Sequence, residues 1–165
     1  MATQDLTDKK LFDLIAKQES SLVLDHFDEE VAHEIGERIR KKALGFGAPI
    51  AIDIRSSSRR YYYSALPGSS PENEDWAIRK GNTVLRCFMS SMRVGLLHKL
   101  EGREQWPDGG LHHSQFVTHG GAFPINVAGM GVVATIGISG LPSIEDHQLS
   151  VDVLSEYLSV ETISL

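Results

Sequence analysis

Cysteine is nearly absent from this sequence: Cys87 is the one cysteine in 165 residues, so no internal disulfide can form. Its neighbours predict a helix, and a lone helical cysteine is more often a small buried side chain than a nucleophile. A chain of this length buries about 70% of its unfolded surface, which is enough to fold without a disulfide or a structural metal. We therefore expect one domain that spans residues 1–165.

Excess positive charge and long apolar runs are also missing. Sixteen lysine and arginine residues face 22 aspartate and glutamate residues, for a net charge of −6. Because nucleic acids and anionic membranes attract clustered cations, we expect neither as a partner. The longest apolar run, 132–138, is far shorter than the roughly 20 residues of a membrane span. The first five residues lack the basic and then apolar pattern of a secretion signal, so we expect a cytoplasmic protein.

Hydrophobic periodicity predicts helices that alternate with pairs of strands. Val31, Ile35 and Ile39 recur every fourth residue, which indicates a helix with one buried side, and Asp28 precedes it as the N-cap. Alternation from Ile50 to residue 55 predicts a half-buried strand. Further strands are predicted at 60–66, 122–127 and 132–138, and helices at 7–18, from about 73 to 100, and from Ser143 onward. Strands that arrive as hairpins favour an antiparallel sheet with helices packed on it, so we predict an α+β fold.

Three details of this pattern bear on function. The long helix carries Gly81 and Gly95 within an apolar stripe of Ile78, Leu85, Met89, Met92 and Leu96. Residues 101–118 are polar and irregular, which is typical of a mobile or functional loop. Asp53 is a carboxylate inside a predicted strand and has no evident partner in the sequence.

The run His119-Gly120-Gly121, just before a predicted strand, is the most unusual in the chain. Two glycines permit positive φ and let a ligand or another backbone approach closely. A neighbouring imidazole can donate to a carboxylate or ligate iron. A glycine bulge that begins an edge strand explains the same residues equally well, so both interpretations stay open.

Charged residues on the long helix supply a second candidate site. Arg79, Arg86 and Arg93 are spaced by seven and line one side of a helix, with Lys80 adjacent. Such a line can hold carboxylate or propionate groups through bidentate hydrogen bonds. A solvated helix face with salt bridges is the commoner meaning of this pattern.

Four histidines, His112, His113, His119 and His147, fall late in the chain and could ligate a metal together with Glu145 and Asp146. Their spacing matches no established metal signature, and we predict no metal site. His147 also shares its helical face with apolar side chains, which is typical of a core or interface histidine.

Several of these runs together resemble the haem-degrading, HbpS/GlcG-like domain family. The similarity lies in Gly120-Gly121-Ala122-Phe123-Pro124-Ile125, in residues 131–140, and in Asp146-His147. With Asp75-Trp76, Arg79-Lys80, Asn82-Thr83-Val84 and His119-Gly120-Gly121, the pattern is closer still to a subfamily of small uncharacterised cytosolic proteins. It covers about residues 28 to 160, nearly the whole chain.

The resemblance implies a profilin-like antiparallel sheet with flanking helices and assembly into a higher-order homo-oligomer. Some relatives bind haem or iron, so we expect a homo-oligomeric protein that binds haem or another planar anion. The expected ligand contacts are His119, Gly120, Gly121, Arg79, Lys80 and His147.

Two other functions remain open from the sequence. The first is a non-catalytic scaffold or adaptor that presents the loop 101–118 and the arginine line to partners, because no complete catalytic set is present. The second and weaker alternative is a metal-dependent enzyme that uses His112, His113, His119 or His147. Whether the protein is an enzyme is therefore not decided by the sequence.

Overall fold

The chain forms one five-stranded sheet with helices on both of its faces. The computed structural model describes residues 3–165, with side chains from residue 7 onward. The helices of this part are α1 (Thr3–Ser21), α2 (Glu29–Gly45), α3 (Pro71–Cys87), α4 (Ser91–Leu100) and α5 (Ser143–Leu158). The strands are β1 (Val23–Leu24), β2 (Ala51–Arg55), β3 (Arg60–Ala65), β4 (Ala122–Val127) and β5 (Gly131–Ser139). None of the described helices is long and apolar enough to cross a membrane.

The strand order is β1-β4-β5-β2-β3, which places the longest strand, β5, in the middle. All pairs among β2 to β5 are antiparallel, so the predicted α+β class with an antiparallel sheet is confirmed. The two residues of β1 are the exception, because they run parallel to β4 and pair Val23 with Asn126. This short parallel edge leads the chain from α1 directly into α2.

The main hydrophobic core lies between one sheet face and the helices α2 and α5. The predicted stripe of α2 is buried there, and Asp28 is its N-cap, because the Asp28 carboxylate accepts a hydrogen bond from the Val31 amide at 2.9 Å. The sheet contributes alternate side chains such as Ile52, Ile136 and Ile138 to the same core. Burial of this apolar face supplies most of the folding free energy, at about 25 cal/mol per Å² of apolar surface.

The opposite sheet face is covered by α3, and the approach is close. A Cβ on Gly137 would lie 2.7 Å from the Ala77 carbonyl oxygen, and one on Gly81 would lie 3.1 Å from Thr135 Cγ2. The prediction that β2 is half-buried was therefore wrong, since α3 covers its polar side as well. Asp53 on that side is fully buried.

The predicted long helix is two helices. Phe88 has φ +57° and ends α3, and the Ser90 hydroxyl then accepts from the Arg93 amide at the start of α4. The predicted stripe is also displaced, because Ile78 and Leu85 are only half-buried. The side of α3 that faces the sheet instead carries the buried residues Ala77, Lys80, Gly81, Thr83 and Val84. All of these except Lys80 are small, which lets the helix pack this close.

Candidate functional site

An open cavity of about 350 Å³ lies where α1 and α4 meet the residues that lead into β4. We call it the corner cavity. Its walls are mostly apolar and include Leu11, Met92 and Leu96, while His119 and Lys99 supply polar groups. The cavity therefore combines apolar surface with one imidazole and one ammonium, a combination that suits a flat apolar molecule with an acidic group.

His119 is the exposed aromatic group of this cavity. Its ring stacks on Trp76 with the centroids 5.4 Å apart and the planes 29° from parallel. Its carbonyl oxygen accepts a hydrogen bond from the Ser91 hydroxyl at 2.6 Å. The backbone of His119 is thus fastened to α4, while its side chain stands at the surface.

Arg79 also packs on the Trp76 indole. Its guanidinium lies 4.8 Å from the Trp76 ring centroid. It also pairs with Asp75 at 2.8 Å and donates to the His113 carbonyl oxygen at 3.1 Å. The predicted ligand contact Arg79 is therefore engaged in holding α3 to the loop 101–118.

The two glycines after His119 serve close packing. A Cβ on Gly120 would lie 2.3 Å from the Ser143 carbonyl oxygen and 2.4 Å from Met92 Cε. Gly121 has φ +133°, and its Cβ would lie 2.6 Å from Lys80 Nζ. Gly120 lines the corner cavity, whereas Gly121 is buried behind it.

Lys80 is buried against Asp146 on the inner side of Gly121. Its ammonium lies 3.1 Å from the Asp146 carboxylate and also donates to the Ile138 carbonyl oxygen at 3.1 Å. Burial lowers the pKa of Lys80 and raises the pKa of Asp146 to about 6. Lys80 could reach a ligand in the corner cavity only by leaving this ion pair, which would strand a buried carboxylate.

Asp146 also connects the start of α5 to the preceding turn. The sequence pattern predicts that Ser143 is the N-cap and that Asp146 completes a capping box. In the structure Pro142 occupies the cap position, and Asp146 reaches back to accept from the Leu141 amide at 3.0 Å. The carboxylate therefore bonds an amide two residues before the predicted cap.

His147 lies in the core. Its Nε2 is 2.8 Å from Gln18 Oε1, and its ring contacts the edge of Phe123. Burial lowers the pKa of His147 to about 4, so the imidazole is neutral at physiological pH. Gln18 also donates to the Ile163 carbonyl oxygen at 2.7 Å, which ties the C-terminal residues to α1.

The structure thus separates the six predicted contacts into four places. His119 and Gly120 line the corner cavity, and Gly121 and Lys80 lie behind it. Arg79 packs on Trp76 and does not line the cavity, and His147 is in the core. The four late histidines do not come together either. Within residues 3–165 no group of three or more His, Cys, Asp or Glu is placed to hold a metal ion.

Sequence reasoning missed the residues of α4 that line the cavity. Met92, Leu96 and Lys99 join His119 only because α4 turns away from α3 at Phe88. The serine at position 90, a common N-cap residue, was the one local signal for this break. Asp53 also acquires unforeseen partners, since Arg55 Nε and Arg60 Nε lie 2.5 and 2.7 Å from its oxygens.

A sequence profile described as haem degrading protein HbpS-like matches residues 27–155. The chain belongs to the HbpS-like family. A UPF0303 protein of Mesorhizobium japonicum is 43% identical to this HbpS-like chain over 148 residues, which cover 90% of the chain and 89% of the relative. The resemblance seen in the sequence is therefore confirmed, including its subfamily.

Solved structures agree with this assignment. The Ybr137w protein superposes with a TM-score of 0.82 at 27% identity, covering 95% of this HbpS-like chain and 93% of Ybr137w. A structure titled PduOC:Heme complex superposes with a TM-score of 0.66 at 16% identity, covering 81% and 94% of the two chains. At that identity the second similarity shows a shared fold.

Proposed function

We propose that this protein binds a small planar ligand with an acidic group in the corner cavity, and that haem is the first ligand to test. The observation that carries the proposal is the exposed imidazole of His119 beside mostly apolar walls and the Lys99 ammonium. The family and the heme complex of PduOC support the choice of haem as a probe.

The side chains of the corner cavity are of the types that bind haem. Imidazole and thioether groups both ligate haem iron in proteins, and His119 and Met92 supply one of each. Leu11 and Leu96 offer apolar contact to a porphyrin, and Lys99, which pairs with Asp8 at 2.6 Å but is half exposed, can donate a further hydrogen bond to a propionate. A bound haem would supply an iron centre for redox or ligand chemistry. The volume of 350 Å³ is at the low end for small-molecule sites, so the open side needs a cover.

A second copy of the chain is the cover that we propose. Large apolar side chains stand exposed on the protomer, with Phe46, Phe88 and Met130 exposing 57%, 63% and 73% of their surface. Aromatic and methionine side chains are enriched at interfaces between protein chains, so these groups are candidates for subunit contacts. Native mass spectrometry should show a homo-oligomer, and a monomer at micromolar concentration would contradict this part of the proposal.

Titration with haemin tests the ligand. The wild-type protein should give a saturable shift of the Soret band, and His119→Ala should weaken binding by roughly tenfold or more, because it removes the exposed imidazole. His26→Ala is the matched control, since His26 is also an exposed histidine but lies on the loop before α2. An unshifted band, or equal binding by wild type and His119→Ala, would remove haem from the proposal.

A scaffold or adaptor without catalysis is the second candidate, and the same exposed apolar groups favour it. Phe88→Ser removes the aromatic group at the α3–α4 junction without touching the core. If the protein is a scaffold, cross-linking in cells should capture a defined partner with wild type and not with Phe88→Ser. The Soret titration should be the same for both. Recovery of the protein alone, from both wild type and variant, would count against the scaffold.

A further inference from the structure

A second cavity, of about 540 Å³, lies beside the corner cavity and is more polar. We call it the loop cavity, because the C-terminal half of α4 and the loop 101–118 form its walls. The two cavities share Gly95, Lys99 and Thr118, so they are adjacent. The proposal for the corner cavity makes no use of this second space.

The walls of the loop cavity are held in place by side-chain hydrogen bonds. Gln105 Nε2 donates to the carbonyl oxygens of Leu111 and Phe116, both at 2.9 Å, and Gln105 Oε1 accepts from the Thr118 hydroxyl at 3.1 Å. Gly95 packs tightly on this loop, because a Cβ there would lie 2.5 Å from the Thr118 carbonyl oxygen. The cavity is therefore preformed.

One residue that lines this cavity has a buried polar atom without a hydrogen-bond partner in the described part of the chain. His98 is only 6% exposed, it lines the loop cavity, and its Nδ1 makes no hydrogen bond there. Burial and the nearby Arg103 lower the pKa of His98, so its ring is neutral and carries one N–H. A buried polar nitrogen without a partner carries a desolvation cost, which a bound ligand would remove.

The charged groups around His98 favour an anion. Lys99 and Arg103 line the cavity as cations, and Glu104 is the acidic residue among the described lining groups. Lys99 and Arg103 pair with Asp8 and Glu101, at 2.6 and 2.7 Å. The Arg103–Glu101 pair is exposed on both sides, so it is weak and can be exchanged for a ligand, whereas Lys99 stays with the buried Asp8 carboxylate.

We propose that the loop cavity binds a small oxyanion, a phosphate or a carboxylate group, through His98 Nδ1 and the Arg103 guanidinium. Arginine suits this role because its planar fork donates two parallel hydrogen bonds to an oxyanion. The proposal is independent of haem, because neither His98 nor Arg103 lines the corner cavity.

Calorimetric titrations of the full chain with inorganic phosphate and with succinate, at constant ionic strength, test the site. Saturable binding of phosphate assigns a phosphoryl ligand, and binding of succinate assigns a carboxylate. Arg103→Gln should weaken binding by roughly tenfold, and Arg86→Gln, which changes an exposed arginine of α3, should leave it unchanged. Equal binding by wild type and Arg103→Gln, or no binding of either probe, would overturn the proposal.

Imidazole nitrogen spectra locate the bound anion. The His98 ring resonances are assigned by their absence in His98→Gln. They should shift saturably with whichever anion binds in the calorimetric titration, and they should not shift when sodium chloride is added instead. If His98→Gln does not fold, Arg103→Gln still decides the question by calorimetry. Haemin binding should be the same in Arg103→Gln as in wild type, so a failure of the haem proposal is distinguishable from a failure of this one.

Discussion

The Lys80 ammonium and the Asp146 carboxylate form an ion pair at 3.1 Å, with side chains only 4% and 1% exposed. The pair joins α3 to the start of α5 directly behind Gly121, and Asp146 also holds the Leu141 amide. A buried pair of this kind stabilises the fold less by its own attraction than by preventing an unpaired buried charge.

Replacement of one partner should therefore be costly. Lys80→Met leaves Asp146 buried without its counter-charge, and we expect the free energy of unfolding to fall by about 3–5 kcal/mol at pH 7. Urea denaturation followed by circular dichroism measures this loss.

The double variant Lys80→Met/Asp146→Asn is the control for the ion pair. Asparagine removes the stranded charge but still accepts from the Leu141 amide, so part of the loss should be regained. If Lys80→Met alone lowers the free energy of unfolding by less than about 1 kcal/mol, the pair behaves like an exposed salt bridge. That result would contradict the buried position of the pair.

Acid should destabilise the protein through His147. Its folded pKa of about 4 lies below the ordinary value of 6.5, so the stability that comes from burying the neutral ring is present above pH 6.5 and is lost as the pH falls toward 4. The full shift corresponds to about 3 kcal/mol. Urea midpoints between pH 7 and pH 4 should fall more steeply for wild type than for His147→Gln, which does not titrate.

Asp146 acts in the opposite direction over part of this range. Its folded pKa is raised to about 6, so its contribution to stability is largest at low pH and is lost as the pH rises through 6. Because Asp146 is present in both wild type and His147→Gln, its contribution drops out when their urea midpoints are compared at each pH. His33→Gln, a change on the exposed face of α2, should follow wild type, and equal slopes for all three proteins would contradict the role of His147.

Glycine at position 121 should be far harder to replace than glycine at position 129. Both have positive φ, but a Cβ at Gly121 would lie 2.3 Å from the Ile138 carbonyl oxygen, whereas nothing lies within 4 Å of one at Gly129. We expect Gly121→Ala to cost about 3 kcal/mol or more and Gly129→Ala about 1 kcal/mol, measured by urea denaturation. Similar losses for both variants would show that backbone conformation alone matters at position 121.

Much of the fold is encoded in local signals. The residues of β4 agree one for one with the prediction, because glycines precede the strand and follow it closely. The N-cap Asp28 and the apolar stripe of α2 are confirmed for a similar reason, since a cap and a 3.6-residue period act within a few turns of one helix.

The partners of the charged residues could not be predicted in this way. Asp53 meets Arg60 only through the pairing of β2 with β3, and Lys80 meets Asp146 across 66 positions of chain. Neither relation has a period or a spacing in the sequence. The first arises from strand pairing, and the second arises because α3 lies flat on the sheet, which turns Lys80 toward the interior.

The sequence by itself determined most helices and most strands, because caps, glycines and hydrophobic periods act over a few residues. The tertiary structure decided which side chains share a cavity. His119 shares a cavity with Met92 and Lys99 because the helix α3 ends at Phe88 and the chain turns into α4. His98 loses contact with water because the loop 101–118 folds over it. Contacts between residues distant in the chain depend on how helices pack, and no local pattern contains that information.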